Sequence, residues 1–141
     1  MKVVHVDYRI NEKINVNQFY DLLVNSTLGE RRPVDDVECL AGMLLNSNLT
    51  VSAWVEGKLV GLARSMTDFN YACYLSDLAV NRIYQNRGIG KQLQILTQAQ
   101  LNKRCKLILI SAPTANGYYD KIGFTNNPRC WVLERDSDIS I

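Results

Sequence analysis

The sequence predicts a mixed α/β domain in which about four helices flank a mostly antiparallel sheet of about six to seven strands. Three observations predict it. Residues 51–80 hold three successive strand-like runs separated by short turns. A basic turn bearing two glycines, Q-N-R-G-I-G-K at 85–91, leads from the last run into an amphipathic helix. A short, continuously apolar run, L-I-L-I at 107–110, follows that helix, as a strand buried on both faces does.

Composition sets the class. With 141 residues the chain is read as one domain, residues 1–141. An apolar share of 47% and a charged share of 21% are ordinary for a soluble globular protein. A net charge of +2 is too small for a nucleic-acid binder, so no such partner is expected. No apolar run reaches the ~18 residues of a membrane span. The start, M-K-V-V-H-V-D-Y-R, lacks the apolar stretch of a signal peptide. Cys39, Cys73, Cys105 and Cys130 are scattered, with no C-x-x-C pair, and read as reduced thiols of a cytoplasmic protein. A metal site needs clustered ligands, and His5 is the only histidine, so no metal is expected.

The elements follow in order. Residues 2–10 alternate, with Val4, Val6, Tyr8 and Ile10 on one face, as in a half-buried strand. Asn15 or Asn17 caps a helix over 16–26 whose stripe is Phe19, Leu22 and Leu23, and Gly29 suits its end. After the loop G-E-R-R-P, Asp35 or Asp36 starts a second helix to Leu45, with Val37, Leu40, Met43 and Leu44 inward. Strands at 51–56, 59–67 and 71–80 form a meander, turning at Gly57-Lys58 and at Asp68-Phe69-Asn70. A helix at 88–103 ends in the cations Lys103 and Arg104, which suit its negative dipole end. A strand at 106–111, a short helix at 114–122 stopped by Gly123, and strands near 123–125 and 130–135 complete the chain.

The turn at 85–91 is the focus. Gly88 and Gly90 allow close backbone approach, and the helix that begins there directs unpaired N–H groups outward, which makes an anion site. It is not a nucleotide P-loop: the first glycine would fall on Gln85, and Gln92 stands where magnesium needs a hydroxyl. Nor is it a dinucleotide fingerprint, whose third glycine would fall on Leu93 and whose acidic residue after the next strand is replaced by Ser111. The spacing Gln85-x-x-Gly88-x-Gly90 after L-A-V resembles the acyl-CoA signature of the GNAT (GCN5-related) N-acetyltransferases, Q/R-x-x-G-x-G/A after their fourth strand. Residues 118–124, Y-Y-D-K-I-G-F, resemble the family's F-Y-x-K-x-G-F after its fifth strand, and the order of elements agrees over nearly the whole chain.

The resemblance implies the GNAT fold, with the sheet splayed between its fourth and fifth strands. It implies an N-acetyltransferase that moves an acetyl group from acetyl-CoA to a primary amine by direct attack in a ternary complex. Acetyl-CoA is then the cosubstrate, bound by Gln85, Asn86, Arg87, Gly88, Ile89, Gly90 and Lys91 around the pyrophosphate. Leu78, Ala79 and Val80 lie along the pantetheine arm, with Leu78 N–H as oxyanion donor. Asn116 lies near the family's CoA-contacting asparagine, whose own place falls on Ala112. Tyr119 matches the family's proton donor to the leaving thiolate, and Tyr118 its packing aromatic. An amine must be neutral to attack, and Asp77 is a candidate base, working through water, or else a salt-bridged strand carboxylate; Ser76 or Ser111 could order the water instead. Arg31 and Arg32, with Asp68, Phe69, Tyr71 and Cys73, are the candidate acceptor residues, for a small-molecule or peptide amine. Homodimers are common in the family. The rival reading is a CoA-binding sensor or interaction module without catalysis.

Overall fold

The computed structural model describes residues 4–140, in two units, one ending at Leu109 and one beginning at Ile110. The first unit carries the sheet and all three α-helices: β1 (Asp7–Ile10), α1 (Val16–Asn25), α2 (Val37–Leu45), β2 (Leu49–Val55), β3 (Lys58–Thr67), β4 (Ala72–Val80), α3 (Ile89–Ala99) and β5 (Lys106–Ile108). The strands run β1-β2-β3-β4-β5 across the sheet, antiparallel from β1 to β4, with β5 parallel to β4. The chain crosses over through α3 between β4 and β5, as a parallel pair requires. Among the described residues no helix is long and apolar enough to cross a membrane.

Each face of the sheet buries one layer of helix. Phe19, Leu22 and Leu23 of α1 and Leu40 of α2 meet Leu62 and Ala79 on one face. Ile89 and Leu93 of α3 meet Val51, Ala53, Val60 and Leu75 on the other. Each buried Phe, Leu, Ile or Val side chain among these contributes roughly 1.5–3 kcal/mol of hydrophobic stabilisation. Gly61 lets α3 come close: a Cβ there would stand 3.1 Å from Leu93 Cδ1, 3.2 Å from Ile89 Cγ2 and 3.3 Å from the Ala53 Cβ.

Local signals set the helix starts. Asn15 accepts from Gln18 N at 2.8 Å while Gln18 Oε1 accepts from Asn15 N, a complete capping box, so Asn15 and not Asn17 is the cap of α1. Asp36 caps α2 by accepting from Cys39 N at 3.0 Å. The first hairpin turns on Glu56 and Gly57, both at positive φ, one residue earlier than Gly57-Lys58.

The departures from expectation have physical reasons. β1 begins at Asp7; residues 2–3 of the expected strand lie outside the described ones. α1 stops at a Ser26 cap, before Gly29, which sits in a following 3-10 turn (Leu28–Arg31) where a Cβ would stand 2.8 Å from the Leu23 carbonyl oxygen. α3 ends at Ala99, short of Lys103 and Arg104. Asn102 leaves the helix to donate its N–H to Phe69 O at 2.9 Å and its amide to Asn70 Oδ1, so tertiary hydrogen bonds replace the last turn. The second unit, residues 110–140, holds no strand. The expected helix is two 3-10 turns, Pro113–Ala115 and Tyr119–Ile122, and the runs at 123–125 and 130–135 have no ladder partner among the described residues. Among the described residues the sheet therefore has five strands, fewer than the six to seven expected, and three α-helices flank it.

Candidate functional site

The site is built around β4. β5 pairs with it only at three residues, Ala72↔Lys106, Cys73↔Leu107 and Tyr74↔Ile108. β4 then continues through residues 75–80 with no strand on that side among the described residues. Six residues of edge backbone are left to face an extended ligand.

A bulge shapes this edge. Arg64 of β3 opposes Asp77, while the next residue, Ser65, opposes Leu75, so Ser76 is the extra residue. The bulge reverses the alternation of side chains. Ala79 packs with α1 and α2, whereas Leu78 and Val80 pack with the α3 cluster. Strict alternation would put Leu75 with Asp77 and Ala79, yet Leu75 packs with the α3 cluster.

Beyond Val80 the chain makes a tight descent into α3. Asn81 N–H donates to Val60 O at 2.8 Å, and the Asn81 side chain accepts from Ile83 N. Gln85 Nε2 donates to Val80 O at 2.9 Å, which pins the turn to the end of β4. Asn86 and Gly88 have φ of 62° and 82°. Gly88 is the cap residue of α3 and supplies no side chain, so the helix start is uncapped. Its first helical bond is Gln92 N to Gly88 O at 3.0 Å. None of the backbone N–H groups of residues 86–91 donates a hydrogen bond among the described residues. Gln85 N–H does donate, to Arg82 O at 3.4 Å, so the free run begins one residue later than the sequence reading had it. Arg82, Arg87 and Lys91 are exposed around the run, with the Arg87 guanidinium over the Tyr84 ring at 5.5 Å. Six unpartnered donors at a positive helix end, ringed by cations, can hold a polyanion such as a pyrophosphate. The residues present thus fit the phosphate end of an acyl-CoA, and the free β4 edge fits its amide arm.

Asp77 is 1% exposed, and both its oxygens accept from guanidinium groups. Arg32 Nε donates to Oδ1 at 2.6 Å and Arg64 Nε to Oδ2 at 2.5 Å. Of the two roles open to it from the sequence, this geometry is that of the salt-bridged carboxylate. The ordinary reason is that a buried carboxylate without such partners carries a large desolvation cost.

The candidate acceptor residues do not converge. Arg32 is turned inward, with Nη2 donating to Ser76 O at 2.7 Å and Nη1 to Arg31 O at 2.8 Å, while the Arg31 side chain is exposed. Asp68 is occupied as a turn former. Its Oδ1 accepts from the N–H groups of Asn70, Tyr71 and Ala72, and these bonds hold its carboxyl below the usual aspartate range. Phe69, at φ 64°, is held in the same turn, and Tyr71 lies under Lys106 Nζ at 3.4 Å. That hairpin is at the β5-paired end of β4, the opposite end from Val80. Cys73 is 0% exposed, and burial pushes its thiol up, so it is a core residue and not a pocket wall.

In the second unit, Tyr119 begins a 3-10 turn closed by Gly123 at φ 105°. Its ring meets Tyr118 and Phe124 edge-on, with centroids 5.1 Å and 5.4 Å away. Burial first, and Tyr118 second, push its phenol above the usual tyrosine value, so it keeps its proton at neutral pH. Asn116 is exposed, and its Oδ1 accepts from Ser111 Oγ at 3.1 Å.

Sequence reasoning missed Arg64 and placed no weight on Gln94. Arg64 sits in an apolar strand run, where a lone cation is its own signal of a buried partner. Gln94, 4% exposed on α3, donates Nε2 to Gly90 O at 3.2 Å while its Oε1 has no partner.

A family profile described as "Acetyltransferase (GNAT) domain" matches residues 26–130, which spans most of the chain and both units. Two curated relatives carry the name uncharacterized N-acetyltransferase ycf52. One, from Gracilaria tenuistipitata var. liui, is 26% identical over 89% of this chain and 70% of that protein. The other, from Pyropia yezoensis, is 27% identical over 90% of this chain and 75% of that protein. Among solved structures, an aminoglycoside N-acetyltransferase in complex with CoA superposes with a TM-score of 0.72 at 19% identity, covering 96% of this chain and 98% of that one. A ribosomal-protein-alanine N-acetyltransferase from Brucella melitensis biovar Abortus 2308 gives 0.70 at 18%, covering 92% and 99%. These two share the fold with this chain.

Proposed function

The chain belongs to the GNAT family of acyl-CoA-dependent acetyltransferases, and from that premise we propose that it transfers an acetyl group from acetyl-CoA to a primary amine by direct attack in a ternary complex. The observation that carries the reading is the run of six unpartnered N–H groups at residues 86–91, placed at the end of a strand with a free edge. Under this reading residues 86–91 hold the pyrophosphate, with Arg87 and Lys91 adding charge. The backbone of Leu78, Ala79 and Val80 runs along the pantetheine amides as a neighbouring strand would. The Gln85 side chain takes a supporting part, since it fixes the Val80 carbonyl and with it the angle between edge and cradle.

The chemistry then divides among this chain's own groups. Leu78 N–H donates to the carbonyl oxygen as charge develops there. Tyr119 gives its proton to the departing thiolate, a role suited to a phenol that burial keeps protonated. Asp77 is buried, and both its oxygens face guanidiniums, so an amine has no open approach to it. Deprotonation of the amine is therefore assigned to water ordered at the site, with Ser76 or Ser111 as its partners. Asn116 is assigned a CoA contact by its likeness to the family's asparagine alone.

The acceptor class is a small-molecule or peptide amine. The two fold neighbours carry one acceptor of each kind in their names. The test is calorimetry with acetyl-CoA, followed by free-thiol release across a panel of aminoglycosides, polyamines, amino acids and N-terminal peptides. Binding with amine-dependent thiol release supports the reading. Binding without release for any amine would leave the CoA-binding module, and absence of binding would overturn both.

A further inference from the structure

The cluster around the β4 bulge asks for an explanation that catalysis by Asp77 does not give. Ser76 and Asp77 are held at four points by two side chains. Arg64, 3% exposed, donates Nε to Asp77 Oδ2 and Nη2 to Ser76 Oγ at 3.1 Å. Its Nη1 reaches the end of α2, donating to Met43 O at 3.0 Å and Ser47 Oγ at 3.2 Å. Arg32 donates Nε to Asp77 Oδ1 and Nη2 to Ser76 O at 2.7 Å. Every polar group of the bulge side chains, and the Ser76 carbonyl, is thereby fixed from β3 and α2 on one hand and from the 28–32 loop on the other.

A bulge leaves one residue outside the regular ladder, so its conformation is set by whatever else binds it. Here that is the guanidinium pair. The bulge also decides which side chains of β4 face which layer, and the orientation of the edge backbone follows from the same geometry. We infer that Arg32, Asp77 and Arg64 form a positioning clamp that fixes the bulge at Ser76 and through it the edge backbone of residues 75–80. Asp77 is then a positioning residue. The clamp has a buried half and a looser half: the Arg64 side chain is 4% exposed, the Arg32 side chain 23%. Arg32 follows a 3-10 turn of a loop, while Arg64 lies within a strand, so the Arg32 side is the one that can release. The loop of residues 28–32 is thus coupled to the strand edge across the sheet face, and its release would loosen the edge. The link from edge to ligand rests on the acetyl-CoA reading above; the clamp itself does not.

The experiment compares Arg32→Ala and Asp77→Asn with the unmodified chain. Amide hydrogen exchange of the free protein is followed for peptides covering 72–80 and, as reference, β2; acetyl-CoA affinity is read by calorimetry. Arg32→Ala removes two bonds of the clamp, to Asp77 Oδ1 and Ser76 O, and should speed exchange at 75–80 at least about tenfold while leaving β2 unchanged. It should also weaken acetyl-CoA about fivefold or more, an effect that loss of a general base alone would not produce. Arg32→Lys keeps the charge but not the planar fork, and should behave as Arg32→Ala does. Unchanged exchange at 75–80, or exchange raised equally in β2, overturns the clamp. If Asp77→Asn does not fold, Arg32→Ala at the exposed end decides the question alone. A chain that does not bind acetyl-CoA defeats the functional reading, yet the exchange measurement still accepts or rejects the clamp.

Discussion

The two glycines of the turn make opposite demands, and replacing each by alanine separates them. Gly88 sits at φ 82°, in the left-handed region, with open space where a Cβ would be. Gly88→Ala therefore meets no clash, and its whole effect comes from backbone strain. A non-glycine residue in that region costs roughly 1–2 kcal/mol, which shifts the folding equilibrium about five- to thirtyfold. If the chain relieves the strain by turning the peptide, the neighbouring N–H vectors turn too. A hydrogen bond to a charged group contributes about 1.5–3 kcal/mol, so losing one should weaken acetyl-CoA roughly ten- to a hundredfold. Gly90 is different. It lies in the first turn of α3 with ordinary φ, and a Cβ there would find only Val80 Cγ2, at 3.7 Å. Gly90→Ala should stabilise the free protein by about 0.4–1 kcal/mol through the unfolded chain. Its acetyl-CoA affinity should stay within about threefold of the unmodified protein. Urea unfolding gives the stabilities and calorimetry gives the affinities. Unchanged affinity in a folded Gly88→Ala variant, or a larger loss in Gly90→Ala than in Gly88→Ala, would refute the argument that left-handed backbone at residue 88 shapes the cradle.

Other outcomes follow from single side chains. Tyr119→Phe should lower turnover at least about tenfold while acetyl-CoA affinity is kept, measured by thiol release and calorimetry; unchanged turnover removes the proton-donor role. Because the Tyr119 phenol is raised by burial, the rate should fall only above the usual tyrosine range, and that alkaline limb should vanish in the Phe variant. Arg64→Ala leaves Asp77 with one partner in a buried site and should cost about 3–5 kcal/mol by urea unfolding, whereas breaking the exposed Arg9–Asp7 pair should move the unfolding midpoint far less. Asp68 has a lowered pKa, so its turn contributes stability above the unfolded aspartate value of about 3.9 and loses it as pH falls through the folded value. Asp68→Asn should flatten that part of the acid-unfolding curve; an identical curve would mean the turn contributes nothing there.

The fold was legible where a local rule and the tertiary context agree. The cap at Asp36, the apolar stripe of Phe19, Leu22 and Leu23, and the three-stranded meander are each determined within a few residues of sequence. Boundaries failed where a distant partner decides. α3 has helical residues past Ala99, but hydrogen bonds from Asn102 to Phe69 and Asn70 outbid them. The run C-W-V-L-E-R at 130–135 alternates well enough for a strand, yet a strand exists only with a ladder, and Trp131 is 90% exposed. At the candidate site the phosphate turn was readable because helix start, glycine and cation are neighbours in sequence. The acceptor residues were not, since hairpin position in a list of residues says nothing of which end of β4 it occupies.

The bulge carries this difference furthest. Read by its period of two, β4 puts Asp77 on one side with Leu75, and nothing in S-D-L-A-V announces an extra residue. One inserted residue at Ser76 changes the partners of everything before it in the strand, while residues after it keep their faces. A carboxylate, a serine and an arginine from the facing strand then meet at one point, joined by an arginine more than forty residues upstream. Such a bulge has no local code because the groups that stabilise it are nonlocal. The same fact makes it a place where the loop of residues 28–32 can act on the strand edge. A substitution at Arg32 should therefore be felt at residues 75–80 before it is felt in its own loop's turn, whose backbone bonds, Glu30 N to Thr27 O and Arg32 N to Gly29 O, do not involve the guanidinium.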